Sequence, residues 1–365
     1  MQISVGISDF YYGTKLSTMI AKGRTHEQVR HFFQYTGEDS GYFYNVLPGA
    51  EAIHCLSSYQ DIKVIDTIDF GRCLLLDEKM MLCTVEEHEY HELIIHPSCL
   101  QLENFKHALI LGGGDCFSAR DLLKYPISSV DMIELDEVVV QVCRKEFANE
   151  LGGIFEDNRF QIHYQDAFNF SSGKKYDYIA LDLTDPDETT ELSLPIYTKE
   201  SFEKIKTNMS EKSILAIQAG CPISMPNMFQ ETLSVLRGMF KYVAAYGKYI
   251  SMYGGYQYFI CCSDEYDVQK PDFDMINSNI KKYGFEHFKI YSPDYHDLLL
   301  KEFEIFTSKK SIHYAEIESK LKDQRQAELI ARMSDNEILS VIDEKALPNL
   351  LKTINQQEED NAHKE

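Results

Sequence analysis

A change of rhythm near residue 106 limits what this chain can fold into more than any other feature. From there, His107 to Leu111, Val130 to Glu134, Phe160 to Tyr164, Tyr178 to Asp182 and Ile214 to Ala219 read as short apolar strands. Ala119 to Lys124, Glu137 to Phe147 and Asn227 to Phe240 fall between or after them with helical patterning. Strands linked by helical crossovers pair in parallel, so the spacing predicts an α/β fold with a doubly wound sheet. Tyr242 to Ile250 and Tyr256 to Cys262 are too close for a crossover and predict an antiparallel closing pair.

The flanks read differently. Residues 1–96 carry alternating and β-branched stretches (Ile53 to Leu56, Ile62 to Asp66, Arg72 to Leu76) punctuated by glycines and acids, as expected for an N-terminal antiparallel β unit of hairpins. Residues 97–307 hold the wound sheet. Residues 308–365 turn highly charged, with helical stretches Ala315 to Met333 and Asp335 to Thr353, which predicts a C-terminal helical extension ending in a polar tail.

Composition excludes some partners. The 36 Lys and Arg against 58 Asp and Glu give a net charge of −22, which repels nucleic-acid phosphates and anionic membrane surfaces and favours cationic small molecules. Nine scattered cysteines form no C-x-x-C pair. That is neither a disulfide framework nor a zinc knuckle, and no metal is expected. Met1 to Lys15 shows no signal-peptide pattern and no apolar run approaches membrane length, so a soluble, cytoplasmic protein is expected.

The first strand runs into Gly112, Gly113, Gly114 and Asp115. Glycines there permit a tight turn and close backbone approach to a ligand. A dinucleotide loop would need glycine at position 117, which is Phe117, and Asp115 repels phosphate but attracts an amine or sulfonium. The loop suits a nucleoside without phosphates, or else it is a plain strand-to-helix turn with an Asp cap. Glu134 ends the second strand about 20 residues on, where this fold places the carboxylate for ribose hydroxyls, and Asp136 suits a helix cap. Asp166 follows the third strand, either near a base or as a loop residue. Asp182 and Asp185 close the fourth strand in Asp182-Leu-Thr-Asp185-Pro, either binding an amine with raised pKa values or punctuating a turn.

Read together, Tyr59-Gln60, Tyr90-His91-Glu92 with His96, Gly112 to Asp115 with Arg120, Glu134-Leu-Asp136, Asp157 to Phe160, Asp166, Asp182-x-x-Asp185-Pro, Ile196-Tyr-Thr with Phe202 and Ile217-Gln-Ala-Gly share order and spacing with one family. The chain resembles the polyamine aminopropyltransferases, the spermidine and spermine synthases, from about Ser58 to Ser263. The resemblance implies a Rossmann-like, methyltransferase-type sheet and transfer of an aminopropyl group from decarboxylated S-adenosylmethionine to a diamine or polyamine acceptor, releasing 5'-methylthioadenosine. It makes Asp182 the general base and puts Asp185, Tyr90, His91 and, more loosely, Tyr253 at the acceptor. It puts the glycines Gly112, Gly113 and Gly114 with Asp115, Glu134, Gln60, Asp166 and Ala167 at the donor. It also implies no permanently bound cofactor, a cationic amine and a sulfonium nucleoside as small-molecule partners, and a homo-oligomer, commonly a dimer.

Three departures from that family are visible. Cys116-Phe117 replaces glycines after Asp115, which predicts side-chain bulk at the turn into the helix. Met81 replaces a glutamine ahead of the acidic pair Glu86-Glu87. Tyr253-Gly-Gly-Tyr256 replaces a proline-containing loop. Two rival readings fit less well: an S-adenosylmethionine-dependent small-amine N-methyltransferase, whose donor carboxylate would oppose Asp115, and a catalytically silent partner-binding relative, in which both Asp182 and Asp185 would be idle.

Overall fold

The computed structural model describes residues 30–37, 40–184, 196–220, 222, 226–285 and 288–303. The described residues begin with five antiparallel strands: β1 (Arg30–Gly37), β2 (Ser40–Leu56), β3 (Asp61–Thr67), β4 (Gly71–Leu76) and β5 (Lys79–Cys83), paired in chain order. Ile62, Val64, Ile65, Cys73, Leu74 and Leu75 on β3 and β4 are buried.

Helix α1 (Glu87–Cys99) follows and crosses the boundary expected at residue 96. Then come β6 (His107–Gly112), α2 (Phe117–Leu122), β7 (Ser129–Glu134), α3 (Glu137–Glu146), β8 (Phe160–Tyr164), β9 (Tyr176–Asp182), α4 (Lys199–Thr207), β10 (Met209–Gln218), α5 (Pro226–Met239), β11 (Tyr242–Ile250), β12 (Gly255–Ser263) and α6 (Phe273–Tyr283).

The second sheet has seven strands in the order β8-β7-β6-β9-β10-β12-β11. β8, β7, β6, β9 and β10 run parallel, and β12 is antiparallel to both its neighbours. Parallel strands covered on both faces become continuous apolar runs. Ala108 to Leu111 and Tyr178 to Leu181 are accordingly all buried. The order reverses beside β6: the chain winds outward through β7 and β8, then returns to place β9 on the other side. Such a reversal opens a crevice at the carboxyl ends of the two central strands, where doubly wound sheets bind ligands. Here those ends are Gly112 and Asp182, which are register partners.

On α3 the buried face is Val139, Val140, Val142 and Cys143, with Phe147 just beyond the helix, while Val138 faces outward. The first compact unit ends at Lys301, and the helical extension expected beyond residue 308 lies outside the described residues.

Candidate active site

Gly112 has φ +87°, and a Cβ there would lie 2.3 Å from the Asp182 carbonyl oxygen. The Gly113 amide donates to that same oxygen at 2.8 Å. Only a side-chain-free turn lets β6 and β9 meet this closely, and the meeting fixes the backbone of Asp182. A Cβ on Gly114 would stand 3.0 Å from Glu134 Oε2, so that glycine leaves space above a carboxylate.

Asp182 is gripped from two helices. The Tyr90 hydroxyl, from α1, donates to Oδ1 at 2.6 Å, and the Ser118 hydroxyl, from α2, donates to Oδ2 at 2.6 Å. Burial and then the negative charge of Asp115 push the Asp182 carboxyl above its ordinary pKa, while His91 and the two hydroxyls pull it back. Tyr90 packs edge-on against Tyr253, with ring centroids 6.3 Å apart. The Tyr253 hydroxyl donates to the Met81 carbonyl at 2.9 Å, and Glu86 receives the Met252 amide at 2.8 Å together with the Ser251 hydroxyl. The β11–β12 hairpin tip is thereby clamped to the start of α1.

Asp115 has a divided role. Oδ1 accepts the Phe117 amide at 2.9 Å, which forms the turn, while Oδ2 stands 3.4 Å from His91 Nε2. His91 is buried, with Glu87 on its other side, Nδ1 lying 3.6 Å from Glu87 Oε2. Burial opposes a charge on this imidazole, but Asp115 and Glu87 outweigh it and lift its pKa to about 10. The two flanking carboxylates thus favour the charged imidazole.

The bulk expected at Cys116-Phe117 does not enter the crevice. Cys116 takes the left-handed turn at φ +69° and is buried. Phe117 is also buried, stacks on His91 at 5.3 Å and lies beneath the Arg120 guanidinium.

Glu134 ends β7, and its Oε1 accepts the Asp136 amide at 2.8 Å. Burial of its carboxyl raises the pKa to about 7, with Asp136 and Asp115 adding to the rise and backbone amides opposing it. Asp136 caps α3 through the Val138 amide at 3.0 Å. Its other oxygen accepts Ser57 Oγ at 2.6 Å and Gln60 Nε2 at 3.0 Å, so Gln60 reaches this edge bound to Asp136. Asp166 is exposed and accepts the Phe168 amide at 2.9 Å and Asn169 Nδ2 at 2.8 Å. The adjacent Ala167 lines a small apolar hollow with Leu111, Phe168, Phe170 and Ile196. Asp185 lies outside the described residues.

The crevice thus joins Tyr90, His91, Asp115, Ser118, Glu134 and Asp182, with Tyr253 one ring away. Sequence reasoning missed Ser118. Its only signal is a hydroxyl in the first turn after the glycine loop, and a turn that reaches the end of β9 could have drawn attention to it.

A family model described as the spermine/spermidine synthase domain matches residues 87–274, more than half of the chain. The chain belongs to the spermine/spermidine synthase family. Among its relatives, the polyamine aminopropyltransferase of Pyrobaculum calidifontis is 34% identical over 224 residues, covering 59% of this chain and 77% of that protein. Polyamine aminopropyltransferase 1 of Hyperthermus butylicus is 29% identical over 239 residues, covering 64% and 82%. The fold matches a crystal structure of spermidine synthase in complex with the transition-state analogue AdoDATO, with TM-score 0.67, 22% identity and coverage of 77% of this chain and 95% of that one. It also matches spermidine synthase from Thermotoga maritima, with TM-score 0.65, 21% identity and coverage of 77% and 94%. In this family member, no group of three or more His, Cys, Asp or Glu among the described residues could hold a metal ion. No helix among them is long and apolar enough to cross a membrane.

Proposed function

We propose that the protein transfers the aminopropyl group of decarboxylated S-adenosylmethionine to a diamine or polyamine, releasing 5'-methylthioadenosine, with Asp182 as general base. The observation that carries this reading is the grip of Tyr90 and Ser118 on Asp182 beside Asp115 and His91. An alkylammonium with a pKa near 10.4 is no nucleophile until it loses a proton. Asp182 takes that proton, the nitrogen lone pair forms the new C–N bond, and the C–S electron pair returns to sulfur, which leaves as a neutral thioether. The donor brings its own leaving group, so the protein's task is to hold nitrogen and carbon in line at about 3 to 3.5 Å and to keep water out.

On this reading Asp115 meets the donor's ammonium, Glu134 accepts the ribose hydroxyls above Gly114, and Gln60 supports that edge through Asp136. Asp166 and Ala167 border the adenine. Tyr90, His91, Tyr253 and Asp185 border the acceptor. An intact S-adenosylmethionine would bring a carboxylate toward Asp115, which disfavours the methyltransferase alternative. The eight described cysteines are free, which supports a reducing compartment, the cytoplasm. We assign a homodimer by analogy with the family, to be checked as a solution mass twice the 42.2 kDa of one chain.

Incubation with decarboxylated or intact S-adenosylmethionine and putrescine, spermidine, agmatine or cadaverine, followed by mass spectrometry, tests the reaction. Products heavier by an aminopropyl unit, formed only from the decarboxylated donor, support it. Methylated amines from the intact donor would replace it with the methyltransferase reading.

A further inference from the structure

Among the described residues, Asp182 is the one carboxylate in the crevice whose two oxygens each receive a hydroxyl, and the two donors come from different helices. Ser118 is completely buried. A serine in a helix normally turns its hydroxyl to its own backbone. This one bridges 64 positions of sequence to Asp182 Oδ2 at 2.6 Å, the short distance of a bond to an ionised acceptor.

We propose that Ser118 is a positioning residue for proton removal: it holds Asp182 ionised and fixes the plane of its carboxylate toward the acceptor nitrogen. This rests on the reading of Asp182 as general base. Among the described residues, the groups facing Asp182 are Tyr90 and His91 from α1, Ser118 from α2, Asp115 from the loop after β6 and, electrostatically, Tyr178 from β9. Asp115 makes the carboxylate easier to protonate, and a hydroxyl donating to the anion makes it harder. A carboxylate offers about four lone-pair sites. With Tyr90 on one oxygen and Ser118 on the other, each oxygen keeps a second site for the ammonium proton, so transfer breaks neither bond.

The test is the dependence of kcat on pH for wild type, Ser118→Ala, Ser118→Thr and Asp182→Asn, with decarboxylated S-adenosylmethionine and the best acceptor amine. In Ser118→Ala the acid limb of kcat should move up by about one pH unit, as expected for loss of a hydrogen bond to a charged group. At pH values below the acid limb kcat should fall about 10-fold, recovering toward wild type at higher pH, with donor KM nearly unchanged. Ser118→Thr, which keeps the hydroxyl, should keep the wild-type limb. An unmoved limb in Ser118→Ala, or a loss that higher pH does not restore, overturns the proposal and leaves the base assignment standing if Asp182→Asn is inactive. Turnover by Asp182→Asn would overturn both.

Discussion

Glu87 and Arg120 face each other as a bidentate pair, Nη1 to Oε1 at 3.1 Å and Nη2 to Oε2 at 2.8 Å, with the Glu87 side chain only 2% exposed. Arg120 Nε also donates to the buried Asp121 at 3.1 Å, and Lys289 reaches Glu87 at 3.2 Å. The pair ties α1 to α2, the two helices that grip Asp182.

Removing the guanidinium strands two buried carboxylates, a change that costs about 3 to 5 kcal/mol when a buried pair loses one partner. Lys289 and Lys124 remain nearby, so Arg120→Ala should fall at the lower end, about 3 kcal/mol. A urea titration checks this: the midpoint should drop with little change in slope. Despite its burial, hydrogen bonds and charge from His91 and Arg120 hold the Glu87 pKa well below the usual carboxylate range. Its contribution is therefore present above the unfolded value of about 4.3 and lost only on strong acidification.

His91 gives the opposite pH signature. Its folded pKa of about 10 lies above the unfolded value near 6.5. The stability it contributes is complete below about pH 6.5 and disappears as pH rises through about 10. Wild-type melting temperature should fall more steeply between pH 7 and 10 than that of His91→Gln. Parallel curves would mean that the imidazole is neutral in the folded protein.

The parallel sheet was legible because buried parallel strands write themselves as apolar runs. The two edge strands, Phe160 to Tyr164 and the antiparallel Tyr242 to Ile250, also match the observed strands end to end, and the others differ only at their ends. Helix α1 was not legible as a helix. It is buried on every face from Tyr90 to Cys99, so it shows no 3.6-residue alternation, and Pro97 sits inside it. Tyr90 and His91 were therefore named only by family resemblance. Their partners, Asp182 and Asp115, are contacts across 92 and 24 positions that no local pattern encodes. Asp136 as a cap was readable from its position before an apolar helix, whereas its grip on Ser57 and Gln60 of the N-terminal unit was not.

Glu134 should trade stability for binding. Its folded pKa of about 7 exceeds the unfolded value of about 4.3, so the folded state holds the proton more tightly and stability falls as pH rises between those values. Glu134→Gln should consequently melt higher than wild type at pH 8 while binding methylthioadenosine more weakly. If Glu134 holds the ribose as proposed, methylthioadenosine affinity in the wild type should decline as pH drops below about 7 and Glu134 becomes protonated. Calorimetric titration at pH 6 and pH 8 reads both effects. Equal affinities in the two proteins would remove Glu134 from the ribose.

The most direct measurement of the central claim compares turnover with ligand binding in Asp182→Asn. The amide preserves shape but cannot take a proton from an ammonium, and loss of a general base costs about 100- to 10,000-fold. The account predicts a loss of that size in kcat, with methylthioadenosine affinity within about twofold of wild type, since the proposed nucleoside contact is Glu134 and not Asp182. Turnover near the wild-type rate would contradict it.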